Sequence, residues 1–548
     1  MSTIDPSTIS TVGTVMVLYL GVLLVIGWRA GQRTHGGEDF HLAGRSLGAW
    51  TAGISSTASS ESGWVTLGAV GMTYTHGLSG LWYAPGCLLG YLVNLYIVAP
   101  KLRRMSERQG SITMTDVITR RWGDPHNVLR VTATTIILVC MMGYVAAQMT
   151  AAGKAFSSSL GMEGRSGYLL GVIIGALVIT VVTFMGGFRA VAWTDLFQGL
   201  LVAVALIALP LYAIARLGGF GALINGLGDI DPNLLTVGGD RLGPAMWGFI
   251  VGELGIGLGY PGMPHVVTRY MATRSQTEIR RLKVIAMLWG IAVFYGAGLV
   301  GLAARVMLPK LADGEQALMV MALELVHPII AGLLLAAVIS AILSTVSSQL
   351  LVAASAVSYD IVEKCMGLET DDRRSLYLGR WTVVVIGILG VLVALTEVRL
   401  VFWFVLFAWS GLGAAFAPLV LFAAFNTAVS RYGALTGMLT GVGVTVAWKL
   451  GRTAAEYPEA FAKVPWAVIV LAATLLLIGR ITSSFDVGHS AATLAASALT
   501  LLSWWLVQHW GLHHLYELVP AFFFAMAAII AVSFLFPNPP PQPDVGRG

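Results

Sequence analysis

Between residues 12 and 536 the chain is a succession of apolar stretches about twenty residues long, separated by short polar loops. About twenty apolar residues make one helical crossing of a bilayer, so the pattern predicts an all-α polytopic protein of the cell membrane. The spans read as 12–31, 49–74, 79–100, 128–152, 167–186, 190–215, 243–265, 284–307, 327–361, 378–397, 400–425, 432–450, 464–480, 489–510 and 516–536, about fifteen in all. Composition agrees: charged residues make up 11% of the chain, against roughly 25% in soluble domains. The net charge of +5 lies mainly in loops between spans, so no nucleic-acid partner is expected. Cys87, Cys140 and Cys365 lack ligand spacing, which argues against a zinc site or a disulfide framework. Met1–Ser10 is polar without a basic run, so no cleaved signal peptide is expected, and no loop is long enough for a second globular domain.

Lysine and arginine set the direction of crossing. Alternate loops carry Arg29, Arg33 and Arg45, then Lys101 to Arg130, then Arg269 to Lys283, then Lys364 to Arg380, and the opposite loops hold far fewer. Placing the rich loops in the cytoplasm predicts an N-terminus outside and a C-terminus inside.

Two spans are poorly built for crossing lipid as plain helices. The second contains Thr57-Ala58-Ser59-Ser60-Glu61-Ser62-Gly63-Trp64. Serine competes for backbone hydrogen bonds, glycine loosens the helix, and a carboxylate at mid-bilayer costs roughly 2.5 kcal/mol or more. The seventh contains four glycines and two prolines between Gly255 and Pro264, and proline removes an amide donor and clashes with the preceding turn. Interrupted spans survive where they face a protein-lined cavity, and their freed carbonyls can hold a cation. The breaks lie five spans apart, an odd number, so the two spans cross in opposite directions. That predicts inverted repeats of five helices, at 49–215 and 243–425. Residues 1–31 then form an extra N-terminal helix, 432–536 extra C-terminal helices, and 537–548 a proline-rich, disordered tail.

The ninth span adds hydroxyls: Ala341, Ser344, Thr345 and Ser348 share one helical face. Neutral hydroxyls and carbonyls suit sodium, although such hydroxyls also bond their own helix and serve packing alone. Glu253 lies three residues before Ile256 and within reach of Glu61 if the two breaks meet. Paired carboxylates would allow a proton-binding role or an ammonium contact; the plainer reading is a bond to a neighbouring helix.

Five stretches resemble the sodium:solute symporter family, its sodium/proline branch in particular. They are Asp39–Gly48 leading into Ala58–Trp64, Gly186–Asp195, Gly257–Ala272, Ser344–Leu351 and Ala408–Phe416. The resemblance implies a LeuT-like five-plus-five inverted-repeat fold and solute uptake coupled to a sodium ion by alternating access. It implies a sodium held by the carbonyls of Ala58, Glu61 and Ala341 and the hydroxyls of Ser344 and Thr345. A second sodium would use Asp195, Ser347 and Ser348; otherwise Asp195 caps its span or pairs with Arg189. Candidate solute contacts are Ser60, Ser62, Trp64, Gln148, Glu253, Ile256, Tyr260, Pro264 and Trp409. His265 and Arg269 are expected to be interfacial anchors. The chain departs from the proline branch twice: the carboxylate stands one position later, at Glu61, and Ile256 replaces a tryptophan expected to wall the solute.

The reading is thus a sodium-coupled symporter importing a small polar, amino-acid-like solute, with no enzymatic activity. Alternatives are a proton-coupled symporter and a solute sensor without net flux, although no kinase-like region follows the spans. The solute's identity and the choice between monomer and homo-oligomer stay open.

Overall fold

The computed structural model describes residues 6–162, 164–368, 370–395, 401–456, 487–510 and 512–538. Within them the protein is helical throughout, apart from a single isolated β-bridge. Among the described residues, ten helical runs are long and apolar enough to cross a bilayer. Two of them, at 49–109 and 164–217, hold 61 and 54 residues. At 1.5 Å per residue these exceed a hydrocarbon core of about 30 Å more than twofold, so each must turn back.

The principal helices are α1 (Pro6–Gly31), α2 (Ala49–Gly63), α3 (Tyr83–Val93), α4 (Val128–Ser159), α5 (Gly164–Leu217), α6 (Gly243–Gly255), α7 (Pro264–Met271), α8 (Gln276–Met307), α9 (Pro328–Ser355), α10 (Asp372–Ala394), α11 (Val401–Ala424), α12 (Arg431–Glu456), α13 (Val487–Trp510) and α14 (Leu518–Leu535). The span expected at 464–480 and residues 539–548 of the expected tail lie outside the described residues. The expected boundary between the fifth and sixth spans falls inside α5, where Gly187 adopts φ 51°, ψ −138°. A Cβ there would strike the Phe40 carbonyl and ring, so glycine is required both for the backbone angle and for the close approach.

The most enclosed span is α9, whose apolar window is 83% buried. It is surrounded by α1, α2, α4 and α5. At the far end of the chain, α12 packs against α11, α13 and α14, forming a unit beside the core.

Both expected breaks are present. In α2 the helix is interrupted at Ser62, with φ 40° and ψ −169°, and continues as a π-helical turn over Trp64–Ala69. In the seventh span, α6 gives way to 3-10 turns over Ile256–Gly262 and an extended Met263 before α7. The two broken spans are tied at one end: Leu47 N donates to the Ala272 carbonyl (3.1 Å) and Arg274 N to the Leu47 carbonyl (2.8 Å). There α2 begins and α7 finishes, so the broken spans run antiparallel.

Candidate functional site

The break in α2 faces the hydroxyl stripe of α9. Ser344 Oγ lies 3.3 Å from the Ala58 carbonyl and 3.1 Å from the Ala341 carbonyl, and Thr345 Oγ1 donates to Ala341 at 3.2 Å. A serine hydroxyl has one proton, so it cannot serve both carbonyls at once. A cation between them could engage both carbonyls and take hydroxyl lone pairs besides. The Glu61 carbonyl accepts from Trp64 N. Ala58, Glu61, Ala341, Ser344 and Thr345 are all buried.

The Glu61 side chain turns the other way, toward the seventh span. Its Oε1 is met by Tyr91 OH (2.7 Å), Ser60 Oγ (2.9 Å) and Tyr260 OH (3.0 Å). Beside it lies a hollow of about 20 Å³ lined by Ser60, Glu61, Trp64, Tyr144, Ile256, Tyr260 and Trp409, among others. That is room for about one water. Trp409 packs edge-on against Tyr260 (centroids 4.9 Å apart), and its Nε1 donates to the Ile256 carbonyl at 3.2 Å. The indole thus fixes the broken segment as well as walling the hollow.

Two larger spaces flank this centre. One, about 100 Å³, runs from Gly63, Trp64 and Gln148 to Lys154, Asp313 and Glu315. Trp64 lines both this vestibule and the hollow, so it stands between them. At the vestibule's mouth, burial and neighbouring Asp313 push the Glu315 carboxyl up, while Lys154 opposes. The other space, about 30 Å³, lies at the opposite end among His41, Thr113, Pro264, Ser355 and Asp360. Burial there holds the His41 imidazole down to about 4, so it is neutral and engages Ser355 Oγ through Nδ1 (2.8 Å).

The expected solute residues are therefore divided among three places. Ser60, Trp64, Ile256, Tyr260 and Trp409 gather around Glu61. Gln148 reaches the break itself, where Gly63 N approaches its Oε1 at 3.4 Å, and Ser62 Oγ accepts from Trp64 N. Pro264 belongs to the far space. Glu253 makes no hydrogen bond to Glu61; one of its oxygens is buried without a partner, and its nearest opposite charges are Arg241 and Arg452.

The Asp195 neighbourhood differs most from expectation. Arg189 pairs with Asp39 (2.9 Å), whereas Asp195 Oδ2 accepts from Arg269 (2.9 Å) and from Ser55 Oγ (2.7 Å). Arg269 is completely buried, also donates to Ser348 Oγ, and lies over the Phe188 ring at 5.0 Å. It is no interfacial anchor, and His265, equally buried, is none either. Ser347 and Ser348 direct their hydroxyls onto the Ser344 carbonyl of their own helix (2.9 and 2.8 Å). Sequence reasoning also missed Tyr91, which carries no local signal as a lone tyrosine in an apolar span.

The sodium:solute symporter family matches residues 40–441. The high-affinity proline transporter of Bacillus subtilis is 36% identical over 78% of this chain and 89% of its own length. A sodium/proline symporter of Staphylococcus aureus is 34% identical over 79% and 84%. In structure the chain is similar to a sodium-coupled sialic acid symporter in a substrate-bound, outward-open state, with TM-score 0.65 and 18% identity over 90% of this chain and 98% of that one. A nucleobase-cation-symport-1 family transporter in a closed conformation follows, with TM-score 0.52 and 15% identity over 92% and 96%. The all-helical fold is thus that of the LeuT-like transporters. This chain belongs to the sodium:solute symporter family and is a multi-pass cell-membrane transporter, not an enzyme.

Proposed function

We propose that the chain imports proline or a closely similar amino acid together with sodium, by alternating access. Family membership makes sodium-coupled solute import the activity, and the two relatives described above are named as proline transporters. The ion sits between α2 and α9, on the carbonyls of Ala58, Glu61 and Ala341 and the hydroxyls of Ser344 and Thr345. The observation that carries this placement is the single Ser344 hydroxyl shared by two buried carbonyls at a helix break. The solute sits beside Glu61, where the hollow, with room here for about one water, widens to admit it. Sodium then ties the broken α2 to α9 and favours solute binding next to it, and coupling is the difference in sodium affinity between the two access states.

About fifteen spans, with an N-terminus outside, make residues 49–215 and 243–425 the two inverted repeats. The antiparallel course of the two broken spans supports this division. In that orientation the vestibule at Lys154 and Glu315 opens outward, and the space at His41 and Asp360 opens to the cytoplasm. A second sodium at Asp195, Ser347 and Ser348 would have to share Asp195 with the Arg269 guanidinium.

The test is thermal stabilisation of the purified protein by sodium and by proline, alone and together, followed by uptake into proteoliposomes along an imposed sodium gradient. Wild type is expected to gain stability from sodium over potassium. The Ser344→Ala/Thr345→Ala variant is expected to lose that gain. A variant that kept all of it would move the ion elsewhere, and uptake driven equally well by a proton gradient would replace sodium as the coupling ion.

A further inference from the structure

The carboxylate of Glu61 is the only formal charge among the residues lining the hollow: the other residues there are hydroxyl-bearing, aromatic or aliphatic, with no lysine or arginine. Its surroundings are asymmetric. Two phenol hydroxyls, Tyr91 and Tyr260, and the Ser60 hydroxyl all gather on Oε1. Oε2 accepts no hydrogen bond from any described residue, although Glu61 lines the hollow. Donors concentrated on one oxygen fix the carboxylate's direction and leave the other oxygen as an open acceptor. The rings of Trp64, Tyr144, Tyr260 and Trp409 surround the same space. A negative charge walled by aromatic faces suits an ammonium group, which gains from the carboxylate and from the ring faces together. A neutral polyol would leave the Glu61 charge uncompensated, and an anion would meet it unopposed by any lining cation.

We propose that Glu61 is the anchor for the solute's ammonium group, with Trp64, Tyr260 and Trp409 as its walls, so that the chain selects amine-bearing solutes over sugars and simple carboxylates. This deepens the transport reading and rests on it for the solute's route through the hollow. Residue 61 then serves both ligands: its carbonyl belongs to the proposed ion set, and its side chain takes the amine. The second departure from the proline branch acquires a meaning as well. Ile256 supplies no ring, and Trp409, bonded to the Ile256 carbonyl, places an indole over the same segment.

The experiment uses an analogue series on the full-length wild-type protein and one isosteric variant. In saturating sodium, thermal stabilisation is measured with proline, with cyclopentanecarboxylate, which lacks the nitrogen, with N-acetylproline, which cannot carry its charge, and with glucose. Wild type is expected to respond to proline at least tenfold more tightly than to the other three. Glu61→Gln keeps the side chain's shape and is expected to weaken proline at least tenfold. Equal responses to proline and cyclopentanecarboxylate would overturn the proposal, as would a Glu61→Gln protein that holds proline within twofold of wild type. Should the variant not fold, the wild-type series alone still decides. An amine-selective response that needs no sodium would support the anchor and refute the sodium coupling, so the two readings fail separately.

Discussion

The Arg269 guanidinium is held without solvent between Asp195 Oδ2 and the hydroxyls of Ser55 and Ser348, so one positive charge already answers the one negative charge there. A sodium added at Asp195 would leave a net buried charge, although Asp195 Oδ1 has no partner and remains the oxygen it would use. Removing one partner of a buried pair costs roughly 3–5 kcal/mol, because the other charge is left uncompensated. Arg269→Gln is therefore expected to lower the thermal midpoint in potassium and to regain part of the loss in sodium, which can occupy the vacated place. Its sodium dependence of uptake should steepen from about first order toward second. The Asp195→Asn/Arg269→Gln double variant should recover stability without steepening. Sodium kinetics and melting curves on the three proteins check this, and a single variant with wild-type sodium order and no sodium rescue would refute it.

The broken segment of the seventh span is pressed between α3 and α11 by glycines at several positions, and their neighbours differ in kind. A Cβ on Gly257 would run into the backbone of Gly86 and Gly90 in α3, whereas one on Gly259 would meet the Trp409 indole. Backbone cannot step aside, so Gly257→Ala should give little folded protein; overpacking of this sort costs roughly 1–3 kcal/mol or more. Gly259→Ala should fold, displace the indole, raise the KM for proline severalfold and leave the sodium response intact. Yield, melting temperature and uptake separate the two. The positions of both breaks were legible in the sequence, because Gly-Tyr-Pro-Gly and Ser-Glu-Ser-Gly fail local rules for helix in lipid. What the breaks touch was not. Tyr91 reaches Glu61 from another span, and Arg269 looked like a loop cation because charge counting along a chain cannot see the Asp195 brought to it by the fold. The Ser344 hydroxyl was legible as a ligand type, but its sharing between Ala58 and Ala341 needed the two helices in contact.

At the scale of the whole molecule, the spaces on either side of the hollow differ in size: about 100 Å³ reaches Lys154 and Glu315 and about 30 Å³ reaches His41 and Asp360. In the proposed orientation, with the N-terminus outside, the larger space lies on the side from which solute would enter, and Trp64 lines both it and the hollow. Reactive thiols placed in the two spaces test orientation and access together. With Cys87, Cys140 and Cys365 replaced by serine, Leu67→Cys reports on the first space and Ile112→Cys on the second, both positions being partly exposed. In sodium, an impermeant maleimide added outside right-side-out vesicles should label Leu67→Cys, and proline should slow that labelling at least fivefold as the vestibule closes. Replacing sodium by potassium removes the ion proposed to hold α2 to α9, so labelling of Ile112→Cys from the cytoplasmic side should rise as labelling of Leu67→Cys falls. The two rates must move in opposite senses if one rocking motion governs both spaces. Labelling of Leu67→Cys only from the cytoplasmic side would invert the topology, and rates that ignored both ligands would mean the two spaces do not exchange access.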